Sequence, residues 1–301
     1  MDRIALVFSG QGDQFPGMGK SLYENYEEAA RVFDLFDRIR PGTIRQCFEG
    51  TEEELRKTEN TQPCLFAVEM AAAEAIKARG IRPLAAAGFS VGEVCACTFA
   101  GMFTYEQGFE LVIKRGELMA EAAGRQPSFM AAVLRLSGKQ VTEICGSLTD
   151  VYPVNYNCPG QIVVAGRETE RKALADRVTA AGGRMIPLKV SGAFHSPFMK
   201  TASDSFLKAL EQTGMKDPEI PVYSNVTALP YQGDKRGLLA GQIMNPVRWE
   251  DTVRNMISAG ADTFIEAGPG STLSSLIRRT ECRAKTYTAE DLLELFRKMK
   301  V

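Results

Sequence analysis

The sequence predicts an α/β fold, a large unit of alternating strands and helices with a small ferredoxin-like unit inserted in it. Three observations carry that expectation. The chain opens on an apolar, strand-like run that ends in a glycine-rich loop. A second apolar run ends in a Gly-x-Ser-x-Gly turn and opens into a helix of small residues. Between residues 128 and 189 strand and helix signals follow the order β-α-β-β-α-β.

Residues 3–8 read as a strand that runs into Ser9-Gly-Gln-Gly-Asp-Gln14 and then Pro16-Gly-Met-Gly19. Glycine in such a loop lets backbone amides approach a ligand with no Cβ in the way. Residues 20–39 and 61–79 alternate apolar and charged faces as helices do. Pro63 stands near the start of the second, where proline is tolerated. The run from Pro83 to Gly88 supplies the strand before Gly88-x-Ser90-x-Gly92, and helices follow over 94–100 and 105–122.

The texture then changes. Residues 129–136, 152–156, 161–165 and 184–188 read as strands, and 138–149 and 168–181 as helices. The small domain is therefore expected over 127–189, and the large one over 1–126 and 190–301. Alternation resumes to the end, with a strand at 262–266, Gly268-Pro-Gly270, and a helix after it. An amphipathic helix from about residue 289 is expected to pack on the surface.

Bulk properties exclude several classes. At 301 residues, 45% apolar and 24% charged, the chain has the composition of a soluble globular protein of one large domain with an insert. A formal net charge of −1 gives no electrostatic case for nucleic-acid binding. The seven cysteines are scattered and lack paired metal-ligand spacing; Cys95 and Cys97, the nearest pair, have no histidine near them in sequence. They read as thiols of a reducing cytosol. There is no basic leader and no apolar run of the ~20 residues that span a membrane. A cytoplasmic enzyme without a membrane partner is the expectation.

The turn around Ser90 suggests chemistry. A serine hydroxyl is a weak nucleophile that needs a base within hydrogen-bond reach and donors for the oxyanion formed on attack. Flanking glycines permit a sharp strand-to-helix turn that exposes Oγ, and they leave the Val91 amide beside it as an oxyanion donor. The chain has one histidine, His195, in Ser191-Gly-Ala-Phe-His-Ser-Pro197. A lone histidine is often structural, but a glycine turn before it and a helix start after it put this imidazole at a loop edge. If an imidazole of this chain activates Ser90, it is His195. The group orienting that imidazole stays open: Asp262, Glu266, or a backbone or amide carbonyl.

Seven segments, in order along the chain, together resemble one family. They are Phe8-Ser-Gly-Gln-Gly-Asp-Gln14, Gly88-Phe-Ser-Val-Gly-Glu93, Lys114-Arg-Gly-Glu-Leu-Met119, Asn155-Tyr-Asn-Cys-Pro-Gly-Gln161, Ser191-Gly-Ala-Phe-His-Ser196, Gln242-Ile-Met-Asn-Pro-Val247 and Glu266-Ala-Gly-Pro-Gly270. The family is that of bacterial malonyl-CoA:acyl carrier protein transacylases and the related acyltransferase domains of polyketide synthases. The resemblance implies an α/β-hydrolase-like large domain carrying Ser90 and His195, covered by the ferredoxin-like insert. It makes Ser90 the nucleophile and His195 the base, with the Gln242 backbone carbonyl holding the imidazole and the Gln11 and Val91 amides forming the oxyanion hole.

It also makes Arg115 the specificity residue. A guanidinium pairs bidentately with a carboxylate, the group that distinguishes malonyl from acetyl. From spacing alone, Arg115 reads as a solvated helix residue beside Lys114 and Glu117. Phe194 is implied to narrow the pocket near the acyl α-carbon, and Asn157 and Gln161 to line it from the insert, although the last two also read as turn residues. Three positions depart from the family pattern: Phe89 stands where histidine is usual, Ser9 where proline is, and Asp13 where serine is. Phe89 removes a polar group beside the acyl site, and Asp13 adds a negative charge near the oxyanion loop.

The implied activity is a ping-pong transfer from malonyl-CoA to the phosphopantetheine thiol of an acyl carrier protein by a monomer, with no metal or other cofactor. Lys189, Arg278 and Arg279 are basic groups that an acidic carrier could meet, and equally plain surface charges. The rivals are an acyltransferase serving a polyketide pathway with another extender unit, an acyl-thioester hydrolase, and a non-catalytic carrier-binding relative.

Overall fold

The computed structural model describes residues 3–299. Its centre is a five-stranded sheet in which every neighbouring pair is parallel. The strands, with those of a second sheet, number in chain order β1 (Ile4–Phe8), β2 (Ala85–Gly88), β3 (Ser128–Leu134), β4 (Val151–Cys158), β5 (Gln161–Arg167), β6 (Arg184–Pro187), β7 (Val222–Tyr223), β8 (Thr263–Glu266) and β9 (Lys285–Thr288). The parallel sheet runs β7-β2-β1-β8-β9.

Parallel strands are covered on both faces, so they read as continuous apolar runs. Ile-Ala-Leu-Val-Phe of β1 and Ala-Ala-Ala-Gly of β2 fit that rule, and the residues from Ala5 to Phe8 are wholly buried. The small side chains of β2 let the helix Gly92–Phe99 come close. A Cβ on Gly88 would lie 1.8 Å from the Gly92 carbonyl carbon, and one on Gly92 would lie 2.4 Å from the Phe8 and Ser9 carbonyl oxygens. Both glycines are therefore fixed by packing at the strand end.

The second sheet is antiparallel, order β4-β5-β3-β6, with helices Gly138–Gly146 and Arg171–Ala180 as its crossovers. Along the chain these elements run strand, helix, strand, strand, helix, strand, the ferredoxin-like succession read from the sequence. Alternation along β3 decides its two faces: Phe129, Ala131 and Val133 join Val141, Cys145, Leu174 and Val178 in a core of their own. Met130 and Ala132 turn the other way, into the large core. Strand β4 is tied to the large part by Tyr156 N–H to Val247 O (2.9 Å) and Val247 N–H to Val154 O (2.8 Å).

Three local details differ from the sequence reading. The helix expected over 20–39 is two, Lys20–Asn25 and Glu27–Ile39, because Tyr26 takes an extended backbone (φ −136°, ψ 110°). The helix expected from residue 61 begins at Thr58, which leaves Pro63 inside it. The final helix, Ala289–Met299, is more than surface cover: Ala289 and Leu293 are wholly buried in the large core.

Candidate active site

Ser90 follows β2 and precedes the helix Gly92–Phe99 with φ +57°, a conformation that L residues rarely adopt. Asn225, just past β7, clamps this elbow: it accepts from Ser90 N–H through Oδ1 (2.9 Å) and donates to Gly88 O through Nδ2 (2.6 Å). His195 also sits at positive φ (+59°), held by its N–H on Ile243 O (3.1 Å).

The two side chains meet: His195 Nε2 lies 2.8 Å from Ser90 Oγ, and His195 Nδ1 lies 2.9 Å from the Gln242 carbonyl oxygen. A carbonyl only accepts, so Nδ1 carries the proton and Nε2 is free to accept from the serine hydroxyl. Burial, and then the charge of Arg115, push His195 down to about 4. The imidazole is neutral at pH 7, the state a general base requires. Asp262 instead accepts from Arg3 N–H, and Glu266 accepts the Leu273 and Ser274 amides at 2.9 and 2.8 Å. Neither carboxylate orients His195; Glu266 satisfies the start of the helix Thr272–Thr280.

Arg115 comes from the middle of the helix Tyr105–Ala123 and is wholly buried. Nη1 donates to Gln62 Oε1 (2.7 Å) and Nη2 to Gln242 Oε1 (2.7 Å), with Ser90 Oγ 3.3 Å from Nη2. Nε has no partner. Among the described residues no carboxylate pairs with this guanidinium. Glu93 affects it through space but hydrogen-bonds the Tyr231 hydroxyl. Burial lowers Arg115 to about 10, so it is still a cation at pH 7. Gln242 knits the centre: beyond its contacts to His195 and Arg115, its Nε2 donates to Ser90 O (2.5 Å) and Asn225 Oδ1 (3.2 Å).

Gln11 lies in the loop after β1, its side chain 3.4 Å from Thr58 Oγ1. Among the described residues, neither the Gln11 nor the Val91 backbone N–H has an acceptor. Two clefts meet at Gln11, Gly12 and Leu188. One, about 340 Å³, is lined by Phe15, Leu55, Arg56 and Lys189 among others. The other, about 250 Å³, is lined by Phe89, Asn155, Asn157, Gln161 and Leu276 among others. Asn155 and Asn157 are 8% and 7% exposed, and each leaves Oδ1 without a partner. The Phe89 ring packs edge-on against Trp249, centroids 5.7 Å apart.

Phe194 is 6% exposed and belongs to the large core next to His195. Asp13 turns its carboxyl to the Thr272 hydroxyl, which donates to it, and burial raises it to about 7. Arg279 hydrogen-bonds Gln161 across to the insert, and Arg278 reaches Thr286 Oγ1. Asn225 and Gln62 were missed in the sequence. Neither lies in a turn or spacing pattern that points at residue 90 or 115.

The chain matches the model of the acyl transferase domain family over residues 5–299. It is 39% identical over 300 residues to the malonyl CoA-acyl carrier protein transacylase of Bacillus subtilis, covering 97% of this chain and 94% of that protein. Its structure resembles that of the malonyl CoA-acyl carrier protein transacylase of Clostridium perfringens, with TM-score 0.94, 32% identity, and 99% and 98% of the two chains covered. It also resembles a malonyl-transacylase solved in complex with its type II polyketide-synthase acyl-carrier protein, with TM-score 0.92, 33% identity, and 95% and 96% covered.

Proposed function

We propose that this chain, which belongs to the acyl transferase domain family, transfers the malonyl group of malonyl-CoA to the phosphopantetheine thiol of an acyl carrier protein through an ester on Ser90. The observation that carries the reading is Arg115: a wholly buried cation, held by two neutral amides, with Nη2 3.3 Å from the Ser90 hydroxyl. An unpaired buried charge is costly, and a carboxylate arriving with the substrate offsets that cost where an acetyl group would not.

The reaction follows from the contacts. His195 Nε2 takes the Ser90 proton as Oγ attacks the thioester carbonyl, and Nδ1–H stays on the Gln242 carbonyl to hold the resulting imidazolium. The oxyanion accepts from the Gln11 and Val91 amides. Collapse breaks the C–S bond, and the imidazolium proton goes to the CoA thiolate, leaving malonyl-Ser90. The carrier thiol then gives its proton to His195 and attacks the ester. Ser90 leaves and recovers the proton.

The chemistry calls for no metal or redox group. In this reading Phe194 bounds the acyl site, and Asn157 contacts the thioester arm from the insert. The insert, 127–189, covers a large domain of 1–126 and 190–301; two sheets that share no strand support that division. The product supplies extender units for fatty acid or polyketide synthesis. The setting is the cytoplasm, with the protein acting as a monomer. The free state of all the cysteines fits a reducing compartment.

The test is intact-protein mass after brief exposure to malonyl-CoA, acetyl-CoA or methylmalonyl-CoA. Wild type should gain a malonyl adduct that added carrier protein discharges, and Ser90→Ala should gain none. Free malonate released without an adduct would make the protein a hydrolase. No turnover of any thioester would sink the assignment.

A further inference from the structure

The mechanism above uses the Gln11 amide but names nothing that holds the loop bearing it. That loop begins at Ser9, which is wholly buried, and Ser9 Oγ donates to Glu69 Oε1 at 2.6 Å. Glu69 is wholly buried too, in the middle of the helix Thr58–Ala78, and its Oε2 has no partner. Its helix neighbours Phe66, Ala67, Val68, Met70, Ala71, Ala72 and Ala73 are all buried and apolar. A carboxyl at such a place costs free energy that an alanine would not.

The pair is enclosed by the machinery of the site. A Cβ on Gly268, after β8, would lie 2.1 Å from Ser9 Oγ and 3.2 Å from Glu69 Oε1. A Cβ on Gly92, in the first turn after the nucleophile, would lie 2.4 Å from the Ser9 carbonyl oxygen. Ser9 is thus wedged between the helix that follows Ser90, the loop after β8, and Glu69, two residues before Gln11.

We propose that Ser9 and Glu69 are a positioning pair: Glu69 anchors the Ser9 hydroxyl and so fixes residues 9–11 with the Gln11 N–H directed at the oxyanion. This rests on the proposed function only in taking Ser90 as a nucleophile that forms an oxyanion. The groups that act on Glu69 electrostatically are Ser9 and Asp13 from the loop after β1, Cys95 from the helix Gly92–Phe99, and Glu266 from β8. No basic group is among these four. Burial raises Glu69 to about 8, so the pair is neutral at pH 7. Ionisation above that value adds a negative charge at the anchor of the loop that carries the Gln11 amide, where it opposes the charge that develops on attack.

The experiment is the rate of Ser90 labelling by an alkyl fluorophosphonate, which needs the nucleophile and oxyanion donors, has no titrating group and is indifferent to the acyl preference. It is followed from pH 6 to 9.5 in wild type, Ser9→Ala and Glu69→Gln, with thermal melting as the check on folding. Ser9→Ala should label about tenfold more slowly, a part of the ~10²–10³ lost when an oxyanion donor is removed outright. Glu69→Gln keeps the acceptor and cannot ionise. It should match wild type at pH 7 and lack the decline that wild type shows above pH 8. Ser9→Ala at the wild-type rate, or Glu69→Gln with the wild-type decline, overturns the pair. A wild type that never labels overturns the nucleophile and the pair together. Labelling as expected without any malonyl adduct upholds the pair and sinks only the malonyl assignment.

Discussion

The two sides of the candidate site are built on opposite plans. On the parallel-sheet side the reacting groups are tied to one another: Ser90 to His195 and Asn225, His195 to the Gln242 carbonyl, and the Gln242 side chain to Ser90, Asn225 and Arg115. On the insert side, Asn155 and Asn157 are more than nine-tenths buried, yet each leaves a carbonyl oxygen unpartnered. The first plan fixes geometry before the substrate arrives, which is what charge stabilisation needs. The second leaves two buried acceptors with no protein partner among the described residues. The contrast can be broken by substitution on either side.

The largest effect is expected on the knitted side. His195→Ala should slow Ser90 acylation by about 10²–10⁴ with little change in KM, since the imidazole acts on the proton and not on binding. Because burial and Arg115 hold His195 at about 4, below its ordinary 6.5, acylation in wild type should stay level through mildly acid pH and fall only as pH drops through that value. Stability follows the same sign. Between 6.5 and about 4 the unfolded chain binds a proton that the folded one does not, so this contribution is lost as pH falls across that window. A pH–rate profile of adduct formation checks it; a midpoint near the ordinary histidine value would mean the imidazole is not buried as described.

Arg115 stands between the two plans, half tied and half free, and its replacement should change selectivity more than chemistry. Arg115→Ala should lower kcat/KM for malonyl-CoA by about 10²–10³, as expected for losing a buried charged partner, while acetyl-CoA acylation is unchanged or rises. Arg115→Lys should fail nearly as badly, because a single ammonium cannot reach Gln62, Gln242 and a carboxylate at once. An equal fall for both thioesters would make Arg115 a structural tie only.

How much of this was visible in the sequence depends on whether the information is local. The elbow at Ser90 and the turn before His195 announce themselves through glycine, and the insert through period-two alternation against helical spacing. Arg115 did not. Its helix neighbours Lys114 and Glu117 do pair at the surface, 3.7 Å apart, so spacing alone points the arginine outward; the family resemblance turned it inward. Tyr26, which divides the helix expected over 20–39, has its ring under the Arg79 guanidinium, 4.7 Å from the centroid, a contact between residues far apart in the chain that spacing cannot show. Asn225 and Gln62 stayed hidden because a two-residue strand has no period to read, and because the partners lie 135 and 53 residues away.

The smallest expected effect is the sharpest test of the contrast, because it predicts opposite signs for stability and binding. Asn157 Oδ1 has no protein partner among the described residues. Truncating it to alanine removes an unsatisfied acceptor, which is worth up to about 1–3 kcal/mol, and leaves a small void that takes part of that gain back. Asn157→Ala should therefore melt at or slightly above the wild-type temperature. If the oxygen serves the thioester arm in the cleft beside Phe89, the same variant should raise KM for malonyl-CoA several-fold while the rate of acylation at saturation stays within about twofold, the signature of uniform binding lost. A Tm that falls by many degrees with KM unchanged would place Asn157 among the ties that hold the insert to the large domain. The distinction between the two plans would then have to be redrawn at Asn155 alone.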